Sequence, residues 1–106
     1  MPRTNLQRFC DQLHEGIQRN TEAGYPPIRL VGMLLPGFGN AVDVATRLVS
    51  DSKIQKGLKV SKDAGMLEWT IEQAVIDFSS LFPPAIVAAA KWRLSQVCLL
   101  YTSRCV

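Results

Sequence analysis

The sequence predicts an all-α fold, a compact bundle of five to six short helices joined by Gly/Pro connectors. Three observations point to it. Apolar residues recur at helical spacing in several separate stretches. Thr-x-x-Gln pairs, which can cap a helix, open two of those stretches at Thr4 and Thr70. Gly and Pro clusters close the intervals between them. No stretch reads as a convincing strand pair, and there is no internal repeat or low-complexity tract. With 106 residues, 47% of them hydrophobic, the chain is long enough for one core. A domain near this size buries about two-thirds of the surface its unfolded chain exposes, so it needs no metal or disulfide staple.

A first helix is expected from about Thr4 to Ala23. Leu6, Phe9, Cys10, Leu13 and Ile17 share one face, Thr4 and Gln7 form the capping pair, and Gly24 supplies a left-handed stop before Pro26 and Pro27. A second, short helix from about Pro27 to Leu35 is apolar nearly all round, with Arg29 as its charged exception, and is therefore expected at the centre of the bundle. Pro36-Gly37-Phe38-Gly39 ends it. Asn40 is the expected cap of a third helix, Ala41 to Val49, with Val42, Ala45, Leu48 and Val49 inward. A brief fourth helix is expected from about Leu58 to Ala64, closed by Gly65, and then an extended link through Met66, Leu67 and Trp69.

The rest is organised around Trp69 to Leu94. Thr70 and Gln73 start a helix whose stripe is Ile71, Ala74, Val75 and Phe78. Ser79 or Ser80 opens a single turn through Leu81 and Phe82. Pro84 begins the last helix, with Ile86, Val87, Ala90 and Leu94 inward. Short connectors of this kind imply neighbouring helices in one bundle.

Charged residues make up 20% of the chain and the formal net charge is +3, a mild excess that does not by itself imply nucleic acid. No apolar run approaches the roughly 20 residues of a membrane helix, and Met1 to Gly16 lacks a secretory h-region, so the expected location is cytoplasmic. Cys10, Cys98 and Cys105 show neither a disulfide framework nor a zinc spacing. The last nine residues, Cys98 to Val106, resemble translated sequencing-adapter read-through. The expected organisation is therefore one helical domain over 1–97, continued differently in the natural product, and an artefactual tail over 98–106.

No reactive constellation stands out, and no cofactor is expected. Pro36 to Asn40 lacks the third glycine of a dinucleotide fingerprint and the Gly-Lys-Ser/Thr of a phosphate loop, leaving a tight inter-helix turn. Cys10 and His14 lie at i and i+4, but two ligands do not make a metal site and no third group orients them for nucleophilic catalysis. Glu68 and Glu72 sit where a helix N-terminus favours acidic groups, which accounts for them. A non-enzymatic role follows as the expectation.

Two surfaces suggest contacts. Around Trp92, the last helix carries apolar residues on more than one face, so Val87, Ala88, Lys91 and Trp92 form a candidate surface for a protein partner or for self-association. Arg47 with Lys53, Lys56, Lys59 and Lys62 forms a basic segment that would support weak, salt-sensitive nucleic-acid binding. Against it, Asp51 and Asp63 interrupt the run and no aromatic residue is interleaved.

From about Gly24 to Leu94 the chain resembles an uncharacterised family of small bacterial all-helical proteins or domains. The resemblance rests on Gly24-Tyr25-Pro26-Pro27, Met33-Leu34, Gly39 with Ala41-Val42, Ala45 and Arg47-Leu48, and Gly57-Leu58. It continues through Gly65-Met66-Leu67-x-Trp69-Thr70-Ile71-Glu72 and Leu81-Phe82 to Ala90-Lys91-x-Arg93-Leu94. The chain departs from the pattern at Trp69, where a smaller apolar residue is expected, and at Pro83-Pro84. Such segments stand alone or attach to larger proteins, nuclease-like ones included, so the resemblance implies an accessory role rather than an activity.

Overall fold

Periodicity and caps translate directly into helices. The computed structural model describes residues 3–24, 26–51 and 67–101. Among them are five α-helices: α1 (Asn5–Glu22), α2 (Ile28–Met33), α3 (Ala41–Ser50), α4 (Ile71–Asp77) and α5 (Pro84–Tyr101). Single 3₁₀ turns at Pro36–Phe38, Leu67–Trp69 and Ser79–Leu81 link them, and the described residues contain no strand. The fold is an all-α bundle. The expected helix at 58–64 lies outside the described residues, as does Met66.

The capping reading of α1 is met on both sides: Gln7 N donates to Thr4 Oγ1 at 3.1 Å, and Thr4 N donates to Gln7 Oε1 at 2.8 Å. Gly24, at φ 90°, ends the helix in the left-handed region. At α4, Gln73 N donates to Thr70 Oγ1 at 3.2 Å. The connection before it, expected to be extended, is a 3₁₀ turn over Leu67–Trp69. That turn seats against α1, where Gly16 comes so close that a Cβ there would lie 2.8 Å from the Trp69 carbonyl oxygen. Arg19 lies over the Trp69 ring, 4.5 Å from its centroid, a cation–π contact that covers the indole.

The core gathers Phe9 and Leu13 of α1, Ala41, Ala45 and Val49 of α3, Ala74 and Val75 of α4, Phe82, and Ala90 of α5. Phe9 is its centre. Its ring meets Phe78 edge-on at 5.7 Å and Phe82 edge-on at 5.4 Å, the arrangement that aromatic quadrupoles favour. Helix α4 packs on α5, and α3 packs on both. In α3 the buried face includes Ala41 and Val44 beside Ala45, Leu48 and Val49, whereas Val42 is only half-buried.

The position of α2 corrects the sequence reading. None of its residues is buried, and Ile28, Val31 and Leu35 are 77%, 48% and 58% exposed. A six-residue helix between Pro27 and Pro36 has too little length to be surrounded. It leans on α3 through one side, with Leu30, Met33 and Leu34 half-buried beneath it. Leu6, placed inward by its spacing, is also exposed at the start of α1.

Candidate contact surfaces and a buried charge node

On α2, Ile28 and Val31 stand at i and i+3, a spacing that lines side chains along one helical face, and Leu35 follows in the extended residues after the helix. Arg29 is drawn toward the end of α3, where its Nη1 and Nη2 both reach Asp51 Oδ2 at 3.4 Å. Large aliphatic side chains exposed in a row, rather than scattered singly, are the kind of surface that marks interaction sites.

The second surface is the one the last helix suggests. Ala88, Lys91 and Trp92 are exposed and Val87 is half-buried, with half of the Trp92 surface open to solvent. Trp92 is immediately followed by a charge that points the other way. Arg93 is 1% exposed; its Nε donates to Glu72 Oε2 at 2.8 Å and its Nη1 to the Asp51 carbonyl at 2.7 Å. Glu72 is 3% exposed, so this is a buried ion pair tying the end of α3 to α4 and α5. Glu72 therefore does more than decorate a helix N-terminus, while Glu68 does stay exposed. Since Asp51 also holds Arg29, charged contacts run from α2 through the end of α3 into the core.

Asn40 sits at the cap position of α3 but makes no side-chain capping bond. Its carboxamide instead reaches back, accepting from Leu35 N at 2.8 Å and donating to the Met33 carbonyl at 2.9 Å. This clamp closes the Pro36–Gly39 turn, in which Gly37 has φ 78° and Phe38 φ 61°. A phenylalanine in the left-handed region is strained, and two contacts from α1 hold it there. His14 stacks on the Phe38 ring at 4.9 Å, and Cys10 Sγ donates to the Phe38 carbonyl at 3.8 Å. An open cleft of about 410 Å³ lies here, lined by Arg3, Leu6, Gln7, Asp11 and His14 on one wall and Gly37 to Gly39 on the other. Its polar groups engage one another: Arg3 pairs with Asp11 at 2.7 Å. Burial, and secondarily the Asp11 carboxylate, pushes the Cys10 thiol pKa above its ordinary value, which keeps it protonated and weakly nucleophilic at neutral pH.

Arg47 is exposed in the last turn of α3. Lys53, Lys56, Lys59 and Lys62 lie outside the described residues. Among the described residues, no three His, Cys, Asp or Glu side chains come together as a metal site, and no helix is long and apolar enough to cross a membrane. The aliphatic row on α2 was hidden from sequence reasoning because all-round hydrophobicity reads as burial. Its flanking prolines were the available signal. No family model matches this chain, and no curated protein or solved structure does either.

Proposed function

We propose that this chain is a non-enzymatic helical module that works by contact with a protein partner, through α2 and the Trp92 side of α5. The observation that carries the reading is the exposure of Ile28 and Val31 on α2 and of Leu35 just after it, three large aliphatic side chains with about half or more of their surface in water. Trp92, half exposed beside Ala88 and Lys91, adds an aromatic anchor of the type that dominates binding energy at interfaces. The reading places the module in the cytoplasm. The resemblance to small bacterial helical domains fits an accessory part of this kind.

A photo-crosslinking side chain placed at Ile28, at Trp92 and, as a control, at exposed Arg8 tests the proposal in cells. Adducts from positions 28 and 92 that are absent from position 8 are expected; a doubled chain mass among them identifies self-association. Equal labelling from all three positions, or none, overturns it.

A second reading uses Arg47 with Lys53, Lys56, Lys59 and Lys62 as a phosphate-binding segment, favoured by the exposure of Arg47 at the end of α3. It predicts duplex or single-strand binding that weakens steeply with salt. Binding that is unchanged when the four lysines become alanine removes it.

A further inference from the structure

We infer that residues 26–36 form a flap: α2 swings as a unit between two glycine hinges, is held closed by two polar latches, and on opening frees both of its apolar sides. The partner in this account is that of the contact reading above, but the motion is tested without any partner.

The hinges are Gly24, at φ 90°, and Gly37, at φ 78°. They flank the segment on either side, and around both the space where a Cβ would sit is open. Glycine tolerates the torsion changes a hinge needs, and at Gly37 such a change also breaks the 2.9 Å bond from Phe38 N to the Leu35 carbonyl. Between them, α2 is six residues long, well under the roughly 12–15 residues at which an isolated helix begins to hold in water. It persists because it is docked, and the docking is thin. No α2 residue is buried, and its underside offers only the half-buried Leu30, Met33 and, just beyond it, Leu34.

Two latches supply the rest. The Asn40 carboxamide grips Met33 O and Leu35 N at 2.9 and 2.8 Å and so bridges directly across the Gly37 hinge. At the other end, Arg29 reaches Asp51 at 3.4 Å, with side-chain exposures of 58% and 29%. A pair that open to water is weak and readily screened by salt. When both latches release, Leu30, Met33 and Leu34 join Ile28, Val31 and Leu35, and a partner can grip the helix on two sides. Segments that open locally at low cost are the ones proteins use for such exchanges.

Amide hydrogen exchange on the full chain reads the motion, because undocked α2 is too short to hold its own hydrogen bonds. In the closed state Val31 N donates to Pro27 O, Leu34 N to Leu30 O and Leu35 N to Asn40; Leu13 and Val75 serve as core references. The α2 amides are expected to exchange at least about a hundredfold faster than the core references, by an opening that leaves the core intact. Asn40→Ala should accelerate Val31 and Leu34 about tenfold, the loss of a two-bond clamp. Arg29→Ala, a surface change that leaves the fold standing, should accelerate them about threefold. Raising salt from about 0.05 to about 1 M should mimic Arg29→Ala in the wild type and add nothing in that variant. In every case the core references should move by less than about twofold. Exchange of α2 at the rate of the core, or acceleration of core and α2 together in both variants, overturns the flap. A crosslinking failure at Ile28 with the exchange pattern intact would instead remove the partner reading and leave the flap.

Discussion

Two sides of this molecule are both rich in apolar residues and yet are built in different ways. On one, α1, α4 and α5 close over Phe9, Val75 and Ala90, each fully buried, with Phe78 and Phe82 edge-on to Phe9. On the other, α2 is apolar apart from Arg29, yet buries none of its residues and is fixed by an ion pair and a carboxamide. Hydrophobic content alone does not decide where an element sits. Length and partners decide it: an eighteen-residue amphipathic helix can bury Phe9, Leu13 and Gly16 along one face, whereas six residues between prolines can only lean. The consequence is uneven stability, with the contact element drawn from the weaker side.

The largest test of this contrast is the charge that the stronger side has swallowed. Arg93 and Glu72 are both nearly inaccessible, and Arg93 also holds the end of α3. Glu72→Ala leaves a buried guanidinium without its carboxylate and should destabilise the protein by about 3–5 kcal/mol, read by chemical denaturation. Glu72→Gln keeps an acceptor for Arg93 Nε and should cost clearly less. Removing Asp51–Arg29 by Arg29→Ala, at the exposed end of the same chain of charges, should change global stability by no more than about 1 kcal/mol. If the Glu72 and Arg29 variants proved equally costly, the division into a strong and a weak side would fail.

Next in size is Gly16→Ala. In an open helix this change stabilises, since alanine is the better helix former. Here the new methyl would lie 2.8 Å from the Trp69 carbonyl oxygen, which is backbone and cannot turn aside. The 3₁₀ turn over Leu67–Trp69 would have to move off α1, taking the Arg19–Trp69 contact with it. Overpacking of this kind costs about 1–3 kcal/mol. A fall in stability with a shift of Trp69 fluorescence, separated from Trp92 by a Trp92→Phe background, is the expected outcome.

These same residues show how far the fold is readable from the chain. Helix starts at Thr4 and Thr70, the stop at Gly24 and the stripe on α4 follow from rules that act over three or four residues, and those rules suffice. Asn40 shows where they stop. A short polar residue before a helix reads as its cap, but whether the carboxamide turns forward to the helix or back to Met33 and Leu35 depends on a turn seven residues deep. Arg93 and Glu72 are 21 positions apart; alone, each reads as surface charge, and only α4 docking on α5 makes them a pair. Gly16 looks like a mild helix weakness until the turn that presses on it is known. Of the candidate contact residues, exposure at Ala88, Lys91 and Trp92 agrees with the spacing along the last helix, whereas the α2 row was masked by hydrophobicity on every side.

The smallest effect is the most discriminating, because it repeats one substitution on the other side of the molecule. Gly32 lies inside α2 with nothing within 4 Å of where a Cβ would be and, unlike Gly24 and Gly37, has no positive φ. Gly32→Ala should therefore follow helix propensity unopposed and stabilise α2 by about 0.5–1 kcal/mol. If α2 opens locally, that gain belongs to the local equilibrium. Val31 and Leu34 amides should slow by about threefold to fivefold, while the denaturation midpoint, set by the core, should hardly move. A matching rise in global stability would mean that α2 unfolds only with the rest of the chain, and the two sides would then be one cooperative unit. The same methyl thus has opposite signs at Gly16 and Gly32, and acts on the whole fold in one place and on a single helix in the other.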